Sequence, residues 1–303
     1  MISCWLRCSH RSSKRVNTLA IDIGGTKSSL ALFDNEQMIR RETFATEREL
    51  GVPWMIGQIA SIAANWRRQT SWERCGVGFG GPVHFPSQTV ALSTHAPGWR
   101  NFPLARHLSA LFDCPVVMDN DANAGALGEA VYGVGRGLQR PLFYVTVSTG
   151  IGGGIVLDDD RLLRGADSWA GEIGHLTIYS DGPECLCGAR GCLERMCSGL
   201  WLERDHGKPA RELFRETAFV SRYVRDLAQG LKAAIMLLNP AVIVVGGGIA
   251  KAGDRLFVPL NVELKKQITS WSQARMDVRP AQLIDDSVLW GALVLARQVS
   301  FIS

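Results

Sequence analysis

The sequence predicts an α/β protein of two related lobes. Segments of strand and helix character alternate along the chain, the pattern of a layered α/β fold. A strand–glycine turn–strand unit stands at residues 18–34, and a counterpart stands at 141–159 in the other half. The length agrees, because 303 residues make about two units at roughly 150 residues each.

Each element follows from its residues. In TLAIDIGGTKSSLALFD (18–34), apolar runs flank Gly24–Gly25, which reads as a hairpin whose turn bares backbone N–H groups. Residues 52–69 carry apolar positions at helical spacing. RCGVGFGGPV (74–83) is a strand running into a glycine loop, and FPLARHLSALFD (102–113) is a helix. PVVMDNDANAGALGEAVYG (115–133) reads as strand, loop and helix, and PLFYVTVSTGIGGGIVLDD (141–159) as the second strand–glycine loop–strand unit. A strong helix over 221–240 precedes AVIVVGGGIA (241–250), a buried-type strand ending in three glycines. SVLWGALVLARQ (287–298) closes the pattern as an amphipathic helix. No short-period repeat and no Pro/Ser-rich linker interrupts it.

Composition excludes several function classes. With 46% hydrophobic and 20% charged residues the chain is globular, not disordered. There are 33 Lys+Arg against 29 Asp+Glu, a net charge of +4. Arg7, Arg11, Lys14 and Arg15 fall in residues 1–17, which hold no acid. The body is therefore near neutral, which speaks against a nucleic-acid partner. The most apolar stretch, 231–250, is broken by Lys232, Asn239, Pro240 and glycines, so no membrane partner is expected. Residues 1–17 lack the apolar core of a secretory signal and read as a disordered extension. Of eight cysteines, Cys185, Cys187 and Cys192 crowd together, which in a cytoplasmic enzyme favours a metal over disulfides.

Five constellations carry chemistry. Asp22, Gly24, Gly25, Thr26 and Lys27 form a turn that lets a phosphate approach backbone N–H groups, with a hydroxyl and an ammonium beside it. The Asp could orient Mg²⁺ or its waters. Ser148 to Gly154, with Thr149, Gly150, Gly152 and Gly153, is the second such loop; Gly246, Gly247 and Gly248 end a strand where a nucleoside could sit. In Asp119-Asn120-Asp121, a carboxylate opening a helix after a strand could take a proton from a substrate hydroxyl or cap the helix. The string leaves open which carboxylate does which. Finally, His175, Cys185, Cys187 and Cys192 complete a Cys₃His set, the closed arrangement of structural zinc. Glu172 and Glu194 flank it, free to accept hydrogen bonds from a polyhydroxylated ligand. Trp99, after a Pro-Gly turn, could close a pocket wall. The other cysteines read as packing residues.

The order of DIGGTK (22–27), GFGGPV (78–83), APGW (96–99), DNDAN (119–123), STGIGGG (148–154), GEIGH (171–175), CLCGARGCLE (185–194) and VVGGG (244–248) resembles the ROK family of sugar kinases and repressors. The resemblance implies an actin-like, hexokinase-type fold with two lobes about a cleft. The lobes would be 18–118 plus 286–303, and 119–285 with a structural zinc loop. It implies ATP, Mg²⁺ and Zn²⁺, a hexose substrate and a homodimer. Asp121 would be the base, taking the proton of the sugar 6-hydroxyl as it attacks the γ-phosphate. Gly81, Thr94, His95, Asn120, Asp121, Glu172, His175 and Glu194 would face the sugar, and His175 would bind zinc through its other ring nitrogen. The Asp22 and Thr149 loops would hold phosphates, and the Gly246 loop would lie near the adenosine. Glucose is the favoured acceptor, with N-acetylmannosamine or another N-acetylhexosamine as the alternative. A sugar-responsive regulator without catalysis is the alternative of another class, although 17 residues ahead of the body leave no room for a DNA-reading domain. The sequence departs from the family pattern at His95, where many members carry Asn. It departs also in a short 199–226 stretch and in residues 1–17.

Overall fold

A computed structural model describes residues 16–93 and 96–298. Its first sheet grows from the strand that is apolar on both faces. Strand β1 (Asn17–Ile23) buries Leu19, Ala20, Ile21 and Ile23 and therefore lies inside the sheet. It pairs antiparallel with β2 (Lys27–Asp34), which pairs with β3 (Gln37–Ala45). On its other side β1 pairs parallel with β4 (Arg74–Phe79), and β4 with β7 (Val116–Asn120), giving the order β3-β2-β1-β4-β7. Helix α1 (Gly51–Arg67) links β3 to β4. The short hairpin β5 (Val83–His84) and β6 (Thr89–Val90) and helix α2 (Leu104–Phe112) link β4 to β7.

The second sheet repeats this plan. Strands β8 (Leu142–Val147) and β9 (Ile151–Val156) form the hairpin. Strand β10 (Val242–Gly246) adds parallel to β8, and β11 (Val278–Pro280) adds to β10. Between β9 and β10 run the short helices α4 (Leu193–Cys197), α5 (Gly199–His206) and α6 (Ala210–Leu213), then the long α7 (Thr217–Leu238). Helix α8 (Asp254–Ile268) packs beside α7.

Helices α3 (Asp121–Val131) and α9 (Ser287–Gln298) join the sheets. Helix α3 leaves the end of β7 and packs on β8 and β9; α9 packs on α3 and on β1, β4 and β7. Glycines make the approach possible. A Cβ on Gly291 would lie 1.6 Å from Ala124 O, one on Gly128 2.1 Å from Ser287 O, and one on Gly76 1.8 Å from Ala292 O. Distances that short exclude any side chain, so helix lies directly on helix and strand.

The expected hairpins, the strand ending at Gly246 and the closing helix are present. The helix expected over 52–69 spans Gly51–Arg67, and the one over 221–240 begins at Thr217. Strand β3, helix α8 and strand β11 were not anticipated. Strand β1 begins at Asn17, one residue inside the expected extension, and residues 1–15 lie outside the described part. Among the described residues no helix is long and apolar enough to cross a membrane.

Candidate active site

The glycine turns of the two sheets meet. The Thr26 and Thr149 hydroxyls are 3.0 Å apart. A Cβ on Gly24 would lie 2.5 Å from Lys27 O, so the first turn closes only with glycine there. Its carbonyls are held from one side: Thr46 Oγ1 donates to Gly24 O at 2.8 Å, Thr46 N to Thr26 O at 2.9 Å, and Arg48 Nε to Gly25 O. The second turn is braced by the start of α5, where Gly199 N donates to Ser148 O at 2.7 Å and Leu200 N to Thr149 O at 3.2 Å. The third glycine turn packs under the second, since a Cβ on Gly247 (φ +84°) would lie 2.4 Å from Val147 O. Beyond it, the first turns of α7 and α8 border an open cavity of about 360 Å³ lined by Phe214, Arg215, Thr217, Ser221 and Arg255.

The structure separates the three residues the sequence left tangled. Asp119 is buried and fully engaged. Its Oδ2 accepts from Arg164 Nε at 2.7 Å, and its Oδ1 from Asn120 N and Asn123 Nδ2, both at 2.8 Å. Asn120 caps α3, accepting from Ala122 N at 2.8 Å, and donates through Nδ2 to Gly81 O at 3.0 Å. Among the described residues Asp121 Oδ1 accepts from Ala122 N at 2.8 Å, and Oδ2 lies 3.5 Å from where a Cβ on Gly80 would stand. The glycine thus keeps a side chain off that oxygen. Burial pushes Asp121 up to about 6, with the Ala122 N–H opposing and the Glu172 charge adding. Burial, then the charge of Asp121, pushes Asp22 up to about 8, against Lys27 and Arg41.

Glu172 stands before the one-turn helix Ile173–His175, and burial raises its carboxyl, with His175 opposing and Glu194 adding. Gly174 lets this turn sit on β9, because its Cβ would be 2.1 Å from Ile151 O. Glu194 Oε2 accepts from Ile151 N at 2.8 Å and covers Gly150. The ligand-capable atoms of His175, Cys185, Cys187 and Cys192 all lie within 4.8 Å of one another. Cys187 Sγ is 3.6 Å from Cys192 Sγ, and Cys185 Sγ is 4.0 Å from His175 Nδ1. Tetrahedral zinc at about 2.3 Å from sulfur requires S–S edges of about 3.8 Å, so the donors fit that ion. Nδ1 faces the sulfurs, which leaves Nε2 as the nitrogen pointing elsewhere.

Asp22, Asp121, Glu172, His175 and Glu194 are thus neighbours in one region with Thr26, Thr149 and the glycine turns. Trp99 is buried against Phe79 and borders a small void with Ile23, Gly80 and Ser93. Thr94 and His95 lie outside the described residues. Four residues absent from the sequence reading also shape the site. Arg164 holds Asp119. Asp285 binds Lys27 at 3.2 Å and Lys251 at 2.7 Å. Glu129, fully buried, accepts from Val134 N, Gln282 N, Leu283 N and Ser287 Oγ at 2.8–3.1 Å. No local motif signals these residues, since their partners lie far away in the chain.

Known proteins resemble this chain in sequence and fold. The chain is 30% identical to a glucokinase of Thermotoga maritima, over 94% of this chain and 98% of that protein. It is 35% identical to an N-acetylmannosamine kinase of Vibrio cholerae, over 91% and 98%. The ROK hexokinase of Thermus thermophilus superposes with a TM-score of 0.81 at 33% identity, covering 95% of this chain and all of the other. A ROK glucokinase of Streptomyces griseus, solved with glucose and AMPPNP, superposes with a TM-score of 0.80 at 27% identity, covering 93% and 99%. The family model described as "ROK family" matches residues 18–299, and with these relatives it shows that the chain belongs to the ROK family.

Proposed function

We propose that this protein is an ATP-dependent hexose kinase that phosphorylates a sugar 6-hydroxyl, with glucose the favoured acceptor. One observation carries the reading. A buried carboxylate whose Oδ2 has no hydrogen-bond partner among the described residues, Asp121, stands over Gly80 in the region where two glycine turns meet. The glucokinase relatives, and the neighbour solved with glucose and an ATP analogue, support it.

The chemistry follows from the residues. Asp121 accepts the hydroxyl proton as the sugar oxygen attacks the γ-phosphorus, and the bond to the leaving ADP oxygen breaks in line. Its raised pKa keeps the base near the working pH instead of far below it. Glu172, Glu194 and His175 Nε2 orient sugar hydroxyls, with Asn120 and Gly81; Thr94 and His95, outside the described residues, are kept as sugar contacts in this reading. N–H groups of Gly24 to Lys27 and of Thr149, Gly150, Gly152 and Gly153 hold phosphates, and Gly246 to Gly248 pass the nucleoside toward the cavity between α7 and α8. Asp22 is buried with carboxylates beside it, an oxygen donor set suited to a hard cation. Mg²⁺, when bound there with the phosphates, would offset their charge. Zn²⁺ held by His175, Cys185, Cys187 and Cys192 would fix the loop that presents Glu172 and Glu194. We assign residues 18–118 plus 286–303 to one lobe and 119–285 to the other, and place the protein, as a homodimer, in the cytoplasm.

The test is ADP release from MgATP with glucose, N-acetylmannosamine, N-acetylglucosamine, mannose, fructose and allose. Turnover with glucose above all others is the expected result. A preference for N-acetylmannosamine would fit the Vibrio cholerae relative instead. Tight sugar binding without ADP would return the protein to a regulatory role.

A further inference from the structure

The second acidic residue of the 285–286 pair and its neighbours are fixed without help from any ligand. Asp286 Oδ1 accepts from Arg41 Nε at 2.7 Å. Glu129 holds Gln282 N and Leu283 N just upstream, at 3.0 and 2.8 Å. Asp285 lies between these anchors, and its two oxygens are divided. Oδ1 pairs with Lys27 Nζ at 3.2 Å, and Oδ2 with Lys251 Nζ at 2.7 Å. Lys27 ends the first glycine turn; Lys251 lies three residues past Gly248, the end of the third. Lys27 starts β2 of the first sheet and Lys251 lies in the turn that follows β10 of the second; the ammoniums are each about half exposed, 48% and 49%. A single carboxylate therefore draws together two cations that would otherwise repel. It does so beside Thr26, whose hydroxyl meets that of Thr149.

We infer that Asp285 is a positioning residue that stands in for the nucleotide's phosphates. It keeps Lys27 and Lys251 gathered between the lobes until a polyphosphate takes them over. This rests on the kinase reading and adds to it a residue that sets how tightly the nucleotide is bound. The chemistry favours the exchange. A triphosphate offers several oxygens and more than one negative charge to each ammonium, against half a carboxylate. The pairs are solvent-accessible, so breaking them costs little. Asp285 is restrained from following the lysines, because Glu129 holds the backbone N–H of Leu283 upstream and Arg41 holds the side chain of Asp286 next to it.

Asp285→Asn keeps the shape and removes the competing charge. The KM for ATP is expected to fall at least threefold, with no rise in kcat. Asp285→Glu, which keeps the charge, should retain the wild-type KM within about twofold. Lys251→Gln should raise the KM, and adding it to Asp285→Asn should cancel most of the gain. An Asp285→Asn enzyme whose KM for ATP is unchanged or raised, or one that matches Asp285→Glu, would overturn the inference. Titration of MgATP into wild type and Asp285→Asn without sugar, followed calorimetrically, makes the same comparison. If wild type releases no ADP with any hexose, the kinase reading fails, yet the ratio of the two binding constants still decides the role of Asp285.

Discussion

Asp121 and Asp22 are both raised, by burial first. The charge of Asp121 raises Asp22 further, and that of Glu172 raises Asp121. In the proposed mechanism Asp121 must lose its proton near pH 6 before it can accept one. We expect kcat/KM to fall tenfold per pH unit below about 6, and Asp121→Asn to lower kcat by about 10²–10⁴-fold with a smaller change in sugar KM. Steady-state rates from pH 5 to 9 check both. For stability the sign is opposite to that of an ordinary salt-bridged acid. Asp22 ionises near 3.8 when unfolded and at about 8 when folded, so the folded state holds an extra proton between those values. Its contribution is complete below pH 4 and is lost as pH rises through 8. Asp22→Asn should therefore melt higher than wild type at pH 9 and equally at pH 4, while losing turnover. A melting difference that does not depend on pH would contradict this. How the residues divide their work was only partly legible beforehand. Asp119 and Asp121 are the same residue type two positions apart. Only Arg164 and Asn123, which occupy Asp119, show that Asp121 is the free one.

At the scale of elements, the segments that were legible are those whose chemistry is local. Glycine turns between strands and the crowded cysteines could be read from neighbours in sequence, and they lie where that reading requires. Strand β3 hid because its sequence, QMIRRETFA, is mostly polar, as suits an exposed sheet edge. Helix α8 hid because Pro259 lies inside it, where proline usually argues against a helix. The hold of Glu129 on residues 282–287 was invisible, because its partners lie more than 150 residues away. Two predictions belong here. Gly291→Ala places a methyl 1.6 Å from Ala124 O and must part α9 from α3. It should cost about 1–3 kcal/mol or more in chemical denaturation. Cys187→Ser removes one of the four ligands of the proposed zinc site, and metal analysis should show less zinc than in wild type. Because residues 171–175 and 191–194 carry Glu172 and Glu194, the KM for sugar should rise more than the KM for ATP.

The whole molecule is two similar sheets joined through two helices, with hydroxyls of opposing turns already in contact. Ligands that touch both sheets should therefore stabilise the chain as a unit. Each adds about 2.7 kcal/mol when present at one hundred times its dissociation constant. Glucose with an unhydrolysable ATP analogue should raise the melting temperature by more than the sum of their separate shifts, read by scanning fluorimetry. A sum that is merely additive would mean that the two sites do not communicate.

Helix α9 has a consequence for the order in which the protein is made. It supplies Leu289, Ala292 and Leu293 to the core of the first sheet, yet it follows the entire second sheet in the chain. The ribosome delivers β1 to β7 first and α9 only after β8 to β11. At about 5–20 residues per second, that leaves on the order of 10–40 s in which one apolar side of the first sheet has no cover. The half of the protein synthesised first is thus the half that finishes last. A nascent chain arrested before Ser287 would present that surface to chaperones.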